Sequence, residues 1–357
     1  GLELTGLSLY ILAGFDKTDY RSAEASLKYF LFGGVATAFT LFGLSLIYGM
    51  TGSTHLPGIA EALADSDYVV EPLLAAGLVM TIVGFAFKIA AAPFHLWAPD
   101  AYEAAPVSSA AFIASASKVA AFFVLARILL TGFEPLTGSA GFHMALPGWA
   151  PLLAVLATLS ILVGNLTALA QKNLRRLLAY SAVAHAGYTL LGILGGGVHG
   201  YSATIFYVTT YAFTILGAFG IVALVLRSSG GDDIAHFAGL RTRSPLLAAC
   251  LAVFMLSLAG LPPLVGFFGK FYLFAAAFET DNHGLLWLIL LALAGSLVSL
   301  YYYLSVLKVA LIDEAGDLGP VHAANRLQLY LIAALALATL GLGLFPDALL
   351  GLIRAAM

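Results

Sequence analysis

The chain has 357 residues, of which 61% are hydrophobic and 10% charged, with a formal net charge of −3 and a mean hydropathy of +0.97. Soluble domains carry roughly a quarter charged residues, so this composition excludes a soluble globular protein and marks an integral membrane protein. The net negative balance without a dense basic run argues against a nucleic-acid partner, and the single cysteine, Cys250, can neither close an internal disulfide nor ligate an iron–sulfur cluster or structural zinc.

Residue 1 is Gly, and GLELTGLSLYILAGF opens apolar without the layout of a signal peptide. The chain is therefore expected to begin inside a helix, with earlier spans missing. Apolar runs follow at about 1–14, 26–50, 72–92, 107–131, 150–171, 174–194, 201–227, 245–279, 284–311 and 325–353. Most match the roughly 20 residues that cross the hydrocarbon core as a helix, and being continuous rather than alternating they argue against a membrane barrel. The fold class read from them is an all-α polytopic membrane protein with about ten transmembrane helices.

The connections alternate in charge. Those after the first, fifth and seventh runs hold Lys17 and Arg21, then Lys172, Arg175 and Arg176, then Arg241 and Arg243; the one after the ninth is bracketed by Lys308 and Arg326. These are expected on the cytoplasmic side. The connections after the second, fourth, sixth and eighth runs contain no Lys or Arg; the second has His55, Glu61, Asp65, Asp67 and Glu71, the eighth Glu279 and Asp281. The connection after the third run, with Asp100 and Glu103 and no cation, is placed inside by parity alone.

Two runs contain breaks. The stretch GFAFKIAAAPFHLWAPDAYEAAP carries Lys88, breaks at Pro93 and passes His95, Trp97, Asp100 and Glu103, while SLAGLPPLVGFFGKFYLF breaks at Pro262 and Pro263 before Lys270. Proline removes an amide donor and disrupts the helix locally, and the run 245–279 is too long for one straight span. They are the third and eighth runs, an odd offset, so they cross in opposite senses. Paired broken helices of opposite sense point to an inverted-repeat transporter whose path lies near the midplane, where freed backbone lines polar cavities. On this reading 1–357 is a single membrane domain: about 1–131 is the remainder of a first repeat with broken helix 72–97, about 150–311 a second repeat with broken helix 245–279, and 325–353 a final helix.

Ionisable residues inside the runs are the candidate site: Glu3, Lys88, Lys118, His185 and Lys270, with His95 at the first break. A lysine within the membrane costs at least a few kcal/mol, and an apolar residue would serve stability better. Lys28 and Lys308, near helix ends, are read as snorkelling to the interface. Burial disfavours the charged form of a lysine and a neighbouring carboxylate favours it, so a Glu–Lys pair that moves apart or together can release or take a proton. Glu3 is the natural partner for Lys88. His185 is read either as a proton relay or as a hydrogen-bonded structural histidine, and His95 as a relay or a cap for freed carbonyls. GGGVHG at 195–200 spells a nucleotide-binding fingerprint, but it sits in a short turn between membrane helices and is assigned no such site. The YYY cluster at 301–303 is read as helix packing or lipid contact, and the histidines lack metal-ligand spacing.

GLELTGLSLYILAGF, EASLKYFLFGG, FKIAAAPFHLWAPDAYEAAP, NLRRLLAYSAVAHAGY and SLAGLPPLVGFFGKFYLF together resemble the antiporter-like membrane subunits of proton-pumping NADH:quinone oxidoreductase, respiratory complex I, of the subunit N type. Members have about fourteen helices, so the chain resembles one lacking its first four. The resemblance implies that Glu3 and Lys88 are the family's paired glutamate and lysine, Lys118 the connecting lysine and Lys270 the terminal lysine of the second half-channel. It implies a translocase subunit in a bacterial inner membrane, surrounded by the lipid bilayer and by other membrane subunits, including neighbouring antiporter-like ones. This chain would bind no cofactor: quinone, NADH, FMN and iron–sulfur clusters are expected only in partner subunits. The alternatives are a subunit of a multisubunit cation/proton antiporter or membrane-bound hydrogenase, and a structural scaffold without a transport path.

Overall fold

In the computed structural model, which describes residues 1–64, 71–142, 145–280, 283–321 and 325–356, the expected runs are helical. Asp65, Asp67 and Asp281, counted above among the connection charges, lie outside the described residues. The first half comprises α1 (Leu2–Ala13), α2 (Tyr20–Thr51), α3 (Leu56–Ala64), α4 (Pro72–Lys88), α5 (Trp97–Ala104), α6 (Val107–Ala114) and α7 (Ala116–Arg127). A π-helical turn at Ile128–Gly132 and a two-residue antiparallel ladder, β1 (Ser139–Ala140) with β2 (Ala145–Leu146), lead to α8 (Trp149–Ala168). The second half contains α9 (Leu174–Gly195), α10 (Gly197–Ser229), α11 (Leu240–Arg243), α12 (Pro245–Ala259), α13 (Val265–Phe278), α14 (Leu286–Leu311), α15 (Arg326–Leu344) and α16 (Pro346–Ala355).

Among the described residues, seven segments are long and apolar enough to span a membrane unaided, including α2, α6 continued through α7 and the π turn, and α8, α9 and α10. α1, α4, α12 and α13 are shorter apolar helices. α9 is central: 94% of its apolar window is buried, against 28% for α2. A helix apolar on all sides belongs inside the bundle, whereas α2 and α14 present one face outward. Close packing rests on small residues. A Cβ on Gly164 of α8 would lie 2.4 Å from the Ala184 amide nitrogen of α9, and one on Gly43 of α2 would lie 2.6 Å from the Thr81 amide nitrogen of α4. The backbones can approach this closely only at glycine.

Both proline breaks are present. α4 stops at Lys88 and α5 resumes at Trp97; α12 stops at Ala259 and α13 resumes at Val265. Two expectations are corrected. The run 107–131 is not one continuous helix, because α6 and α7 are separated at Ser115, whose backbone (φ −114°, ψ −88°) leaves the helical region. Ser115 Oγ donates to the Ala111 carbonyl at 2.6 Å and Ser117 Oγ to that of Ile113 at 3.0 Å; such back-bonding bends helices without any proline. The run 325–353 is likewise two helices, divided where Pro346 keeps Phe345 out of the helical region (φ −128°, ψ 62°).

The connections sort to two ends as the charge alternation predicts. At one end Asp100 and Glu103 pair with Arg176, Asp100 also pairs with Lys28, Arg175 reaches Asp232, and Arg243 reaches the Gly319 carbonyl. At the other, the Phe142 amide donates to the Gly284 carbonyl, Thr280 to that of Gly195, and His199 faces Glu279. The two broken helices therefore cross in opposite senses. The acidic connection after α5, placed by parity alone, joins the cationic end because its carboxylates neutralise the cations of α2 and α9.

Candidate functional site

The first break is held open by side chains from outside it. Ala90 adopts φ +57°, unusual for a residue with a Cβ. The Phe87 carbonyl, released by the break, accepts a hydrogen bond from the Trp97 indole at 3.0 Å, and the Ala92 amide donates to Ser160 Oγ of α8 at 2.8 Å. Trp97 stacks on Tyr29 of α2 with ring centroids 4.2 Å apart, which fixes the indole over its carbonyl. His95 is buried beside the Tyr180 ring, with centroids 6.2 Å apart, and its Nδ1 has no hydrogen-bond partner among the described residues.

Lys88, the last residue of α4, turns toward α1. Both carboxylate oxygens of Glu3 lie 3.3 Å from its Nζ, and Glu3 also accepts a hydrogen bond from Thr37 of α2. Gly6 makes room for the ammonium, since a Cβ there would sit 3.0 Å from Nζ. The lysine side chain is 13% exposed and the glutamate 34%.

Lys118 and Lys270 have no carboxylate partner among the described residues. Lys118, one turn past the Ser115 break, donates to the Ala182 carbonyl of α9 at 3.1 Å. Lys270 donates to the Ala259 carbonyl at 3.1 Å and lies 5.0 Å from the centre of the Tyr188 ring. Ala259 ends α12, where carbonyls lose their intrahelical partners and carry the negative end of the helix dipole. Gly260, at φ +88°, provides the left-handed turn that leaves this carbonyl facing the ammonium. Both lysines are buried; the Lys118 ammonium is solvated by a backbone carbonyl, and that of Lys270 by a carbonyl and an aromatic face, instead of by a described counter-ion.

His185 lies within the electrostatic field of both lysines. Its Nδ1 is 2.6 Å from the Tyr207 hydroxyl and its Nε2 3.1 Å from that of Tyr303, which also bonds Ser181. The Asn165 amide donates to the Tyr188 hydroxyl at 2.8 Å, and Tyr302 donates to Asn165 Oδ1 at 3.1 Å. A cavity of about 10 Å³, lined by His185, Tyr211, Thr214 and Ser257 among others, adjoins the second break; it is about the size of one water. The buried Tyr211 hydroxyl has no hydrogen-bond partner among the described residues.

The structure thus brings Glu3 to Lys88 and leaves His185 within the field of Lys118 and Lys270, while placing His95 at the first break beside Tyr180. His95 bonds the Pro93 backbone within the break, as a cap for freed carbonyls would, while the Phe87 carbonyl is taken by Trp97 and the Ala90 amide. The reading of residues 301–303 holds, with Tyr302 and Tyr303 packed inside the bundle and Tyr301, 68% exposed, facing outward; the hydrogen bonds that tie Tyr302 and Tyr303 into the His185 network add a polar role to that packing. Tyr207, Tyr188 and Asn165 were missed. Tyr188 stands three residues after His185, the helical spacing that could have drawn attention to it. Lys28 does not merely snorkel; it pairs with Glu24 at 2.8 Å and Asp100 at 2.9 Å. No group of three or more His, Cys, Asp or Glu side chains suited to a metal ion occurs among the described residues.

Residues 1–299 match the family model described as NADH:quinone oxidoreductase/Mrp antiporter, transmembrane. The chain is 52% identical over 355 residues to NADH-quinone oxidoreductase subunit N 2 of Acidobacterium capsulatum, covering 99% of this chain and 71% of that protein. It is similar to a chain of respiratory complex I from Thermus thermophilus, with 37% identity and a TM-score of 0.79, covering 98% of this chain and 73% of the other. It is also similar to a chain of an archaeal membrane-bound sulfane sulfur reductase, with 28% identity and a TM-score of 0.86 over 99% and 69% of the two chains. On the match across most of its length and the identity to its relatives, the chain belongs to the NADH:quinone oxidoreductase/Mrp antiporter transmembrane family.

Proposed function

We propose that this chain is the N-type antiporter-like subunit of a bacterial inner-membrane NADH:quinone oxidoreductase, translocating protons while electron transfer takes place in partner subunits. The observation that carries this is the chemical inequality of its three lysines: Lys88 is ion-paired with Glu3, whereas Lys118 and Lys270 hold only carbonyl or aromatic partners. An ammonium next to a carboxylate is held charged; one facing only neutral groups away from water releases its proton more easily. Opening the Glu3–Lys88 pair makes Lys88 a proton donor toward Lys118, and His185 can pass the proton on toward Lys270 by exchanging between its two ring nitrogens. The three breaks, at Pro93, Ser115 and Pro262–Pro263, lie close in sequence to the three lysines, and at the last of them the freed Ala259 carbonyl meets the Lys270 ammonium. That is where water and polar backbone are tolerated at membrane depth.

The halves bearing the two proline breaks, about 1–131 and 150–311, are the two repeats, and 325–353 closes the bundle. The end carrying Lys17, Arg176 and Arg241 is cytoplasmic by its excess of cations. Identity of 52% to a subunit N, against 28% to the sulfane sulfur reductase chain, favours the quinone-reductase assembly over the antiporter or hydrogenase alternative. In that assembly the flavin, iron–sulfur clusters and quinone belong to other subunits. The test is Lys118→Ala in the assembled complex: proton uptake by inverted vesicles should fall to a small fraction of wild type with assembly intact. Normal uptake would remove Lys118 from the path and favour the scaffold reading.

A further inference from the structure

At the end of the bundle away from the cationic connections, a cavity of about 820 Å³ opens between the end of α7, the start of α10 and α16. Its walls include Arg127, Glu134, Trp149, Tyr201, Ile205 and Ile353. The volume lies in the range of small-molecule sites, roughly 300–1,000 Å³. Arg127 and Glu134 are both exposed, and neither is ion-paired with the other or with any other described residue. Opposite charges thus face one cavity without neutralising each other.

The surroundings are those of a membrane interface. Trp149, at the start of α8, is buried and forms the inner wall of the cavity, while the partly exposed Tyr201 lies in the field of Arg127 and packs edge-to-face on the exposed Phe123, with ring centroids 6.1 Å apart. Such aromatic residues gather at headgroup level. α16 is amphipathic: Leu350 and Ile353 pack inward with Phe206 and Val265, Asp347 and Arg354 are exposed, and Leu352 is bare to the outside. A short helix of this pattern lies along the interface plane.

We infer that this cavity binds one zwitterionic aminophospholipid of the outer leaflet, with its phosphate on Arg127, its ammonium on Glu134 and its acyl chains along the apolar wall of α10 and α16. The headgroup carries the same two charges in complementary order, and the planar guanidinium suits a phosphate. An anionic headgroup would satisfy Arg127 but meet repulsion from Glu134, and a choline headgroup lacks N–H donors for the carboxylate. The inference rests on the proposed orientation, which turns this end toward the outer leaflet, and assigns no part of the proton path to this cavity.

The test uses the intact complex, delipidated and re-equilibrated with vesicles of equal phosphatidylethanolamine, phosphatidylglycerol and phosphatidylcholine, then isolated for native mass spectrometry. Wild type should retain one phosphatidylethanolamine per copy of this chain beyond what Arg127→Gln retains. A lost charge-assisted contact should weaken that retention by about tenfold or more. Arg127→Lys should restore retention in part, and Glu134→Gln should keep the lipid but lose its preference for phosphatidylethanolamine over phosphatidylglycerol. Equal retention by wild type, Arg127→Gln and Glu134→Gln would overturn the inference. So would a wild-type preference for phosphatidylglycerol, stabilisation by inorganic phosphate equal to that by the lipid, or a partner polypeptide filling the cavity. Pumping by these variants reads separately on the lysine path.

Discussion

Glu3 and Lys88, 85 residues apart in sequence, meet with both carboxylate oxygens 3.3 Å from the ammonium. The pair joins the start of α1 to the last residue of α4, where the helix breaks. Opening it exposes charge at a point where the backbone is already irregular.

If the two residues act as one switch, Glu3→Gln and Lys88→Ala should each impair proton pumping strongly and the double variant should be little worse than either. A coupling of about 0.5–3 kcal/mol is the range for contacting residues. Vesicle proton uptake, normalised to assembled complex, measures it. Fully additive losses would show that the two act independently.

The His185 network gives a second expectation. Tyr303→Phe removes the hydroxyl shared by His185 Nε2 and Ser181 while preserving the ring. Pumping should fall severalfold, with thermal stability reduced by only about 1 kcal/mol, the net worth of a typical hydrogen bond. Loss of stability with pumping intact would assign His185 and its tyrosines a structural role.

How much of this was legible follows from which residues announce themselves. Pro93 and Pro262–Pro263 mark their breaks in any sequence, because a missing amide donor has one consequence in a helix. Ser115 has no such mark; its break shows only through serine side chains that compete for the Ala111 and Ile113 carbonyls. Buried lysines stand out against apolar sequence, but Asn165, Tyr207 and Tyr303 do not, since a hydroxyl or amide inside a span is ordinary until its partner is known. The side of Asp100 and Glu103 could be reached only by counting spans, because a cation count is blind to the carboxylates that neutralise it. Glu3 could be nominated for Lys88 from the sequence, but their contact depends on how α1 and α4 pack.

The cationic end makes an energetic contrast. Asp232 pairs with Arg175 where both side chains are nearly buried, at 11% and 12% exposure, whereas Asp100 is 30% exposed beside Lys28 and Arg176. Asp232→Ala leaves a desolvated guanidinium and should cost about 3–5 kcal/mol. Asp100→Ala should cost no more than about 1 kcal/mol. Thermal unfolding of the purified complex compares them, and equal losses would mean that burial is not what distinguishes these pairs.

The two-ended arrangement of connections predicts opposite labelling. In a Cys250→Ser background, Asp19→Cys and Ala64→Cys should react with impermeant maleimide from opposite sides of the membrane, position 19 from the cytoplasm. Reaction from one side would overturn the alternation.

The central claim, that these buried lysines surrender protons, is tested most directly at Lys270, whose ammonium faces the Ala259 carbonyl and the Tyr188 ring with no described counter-ion. Arginine keeps the charge and can keep the carbonyl contact, but it stays protonated under nearly all conditions. The measurement is proton uptake by inverted vesicles carrying Lys270→Arg, set against electron transfer and the amount of assembled complex, with Lys270→Ala as reference. The account predicts that both variants assemble, that both lose most pumping, and that quinone-reductase activity falls in part. Near-wild-type uptake by Lys270→Arg would contradict it and leave Lys270 an electrostatic or structural residue.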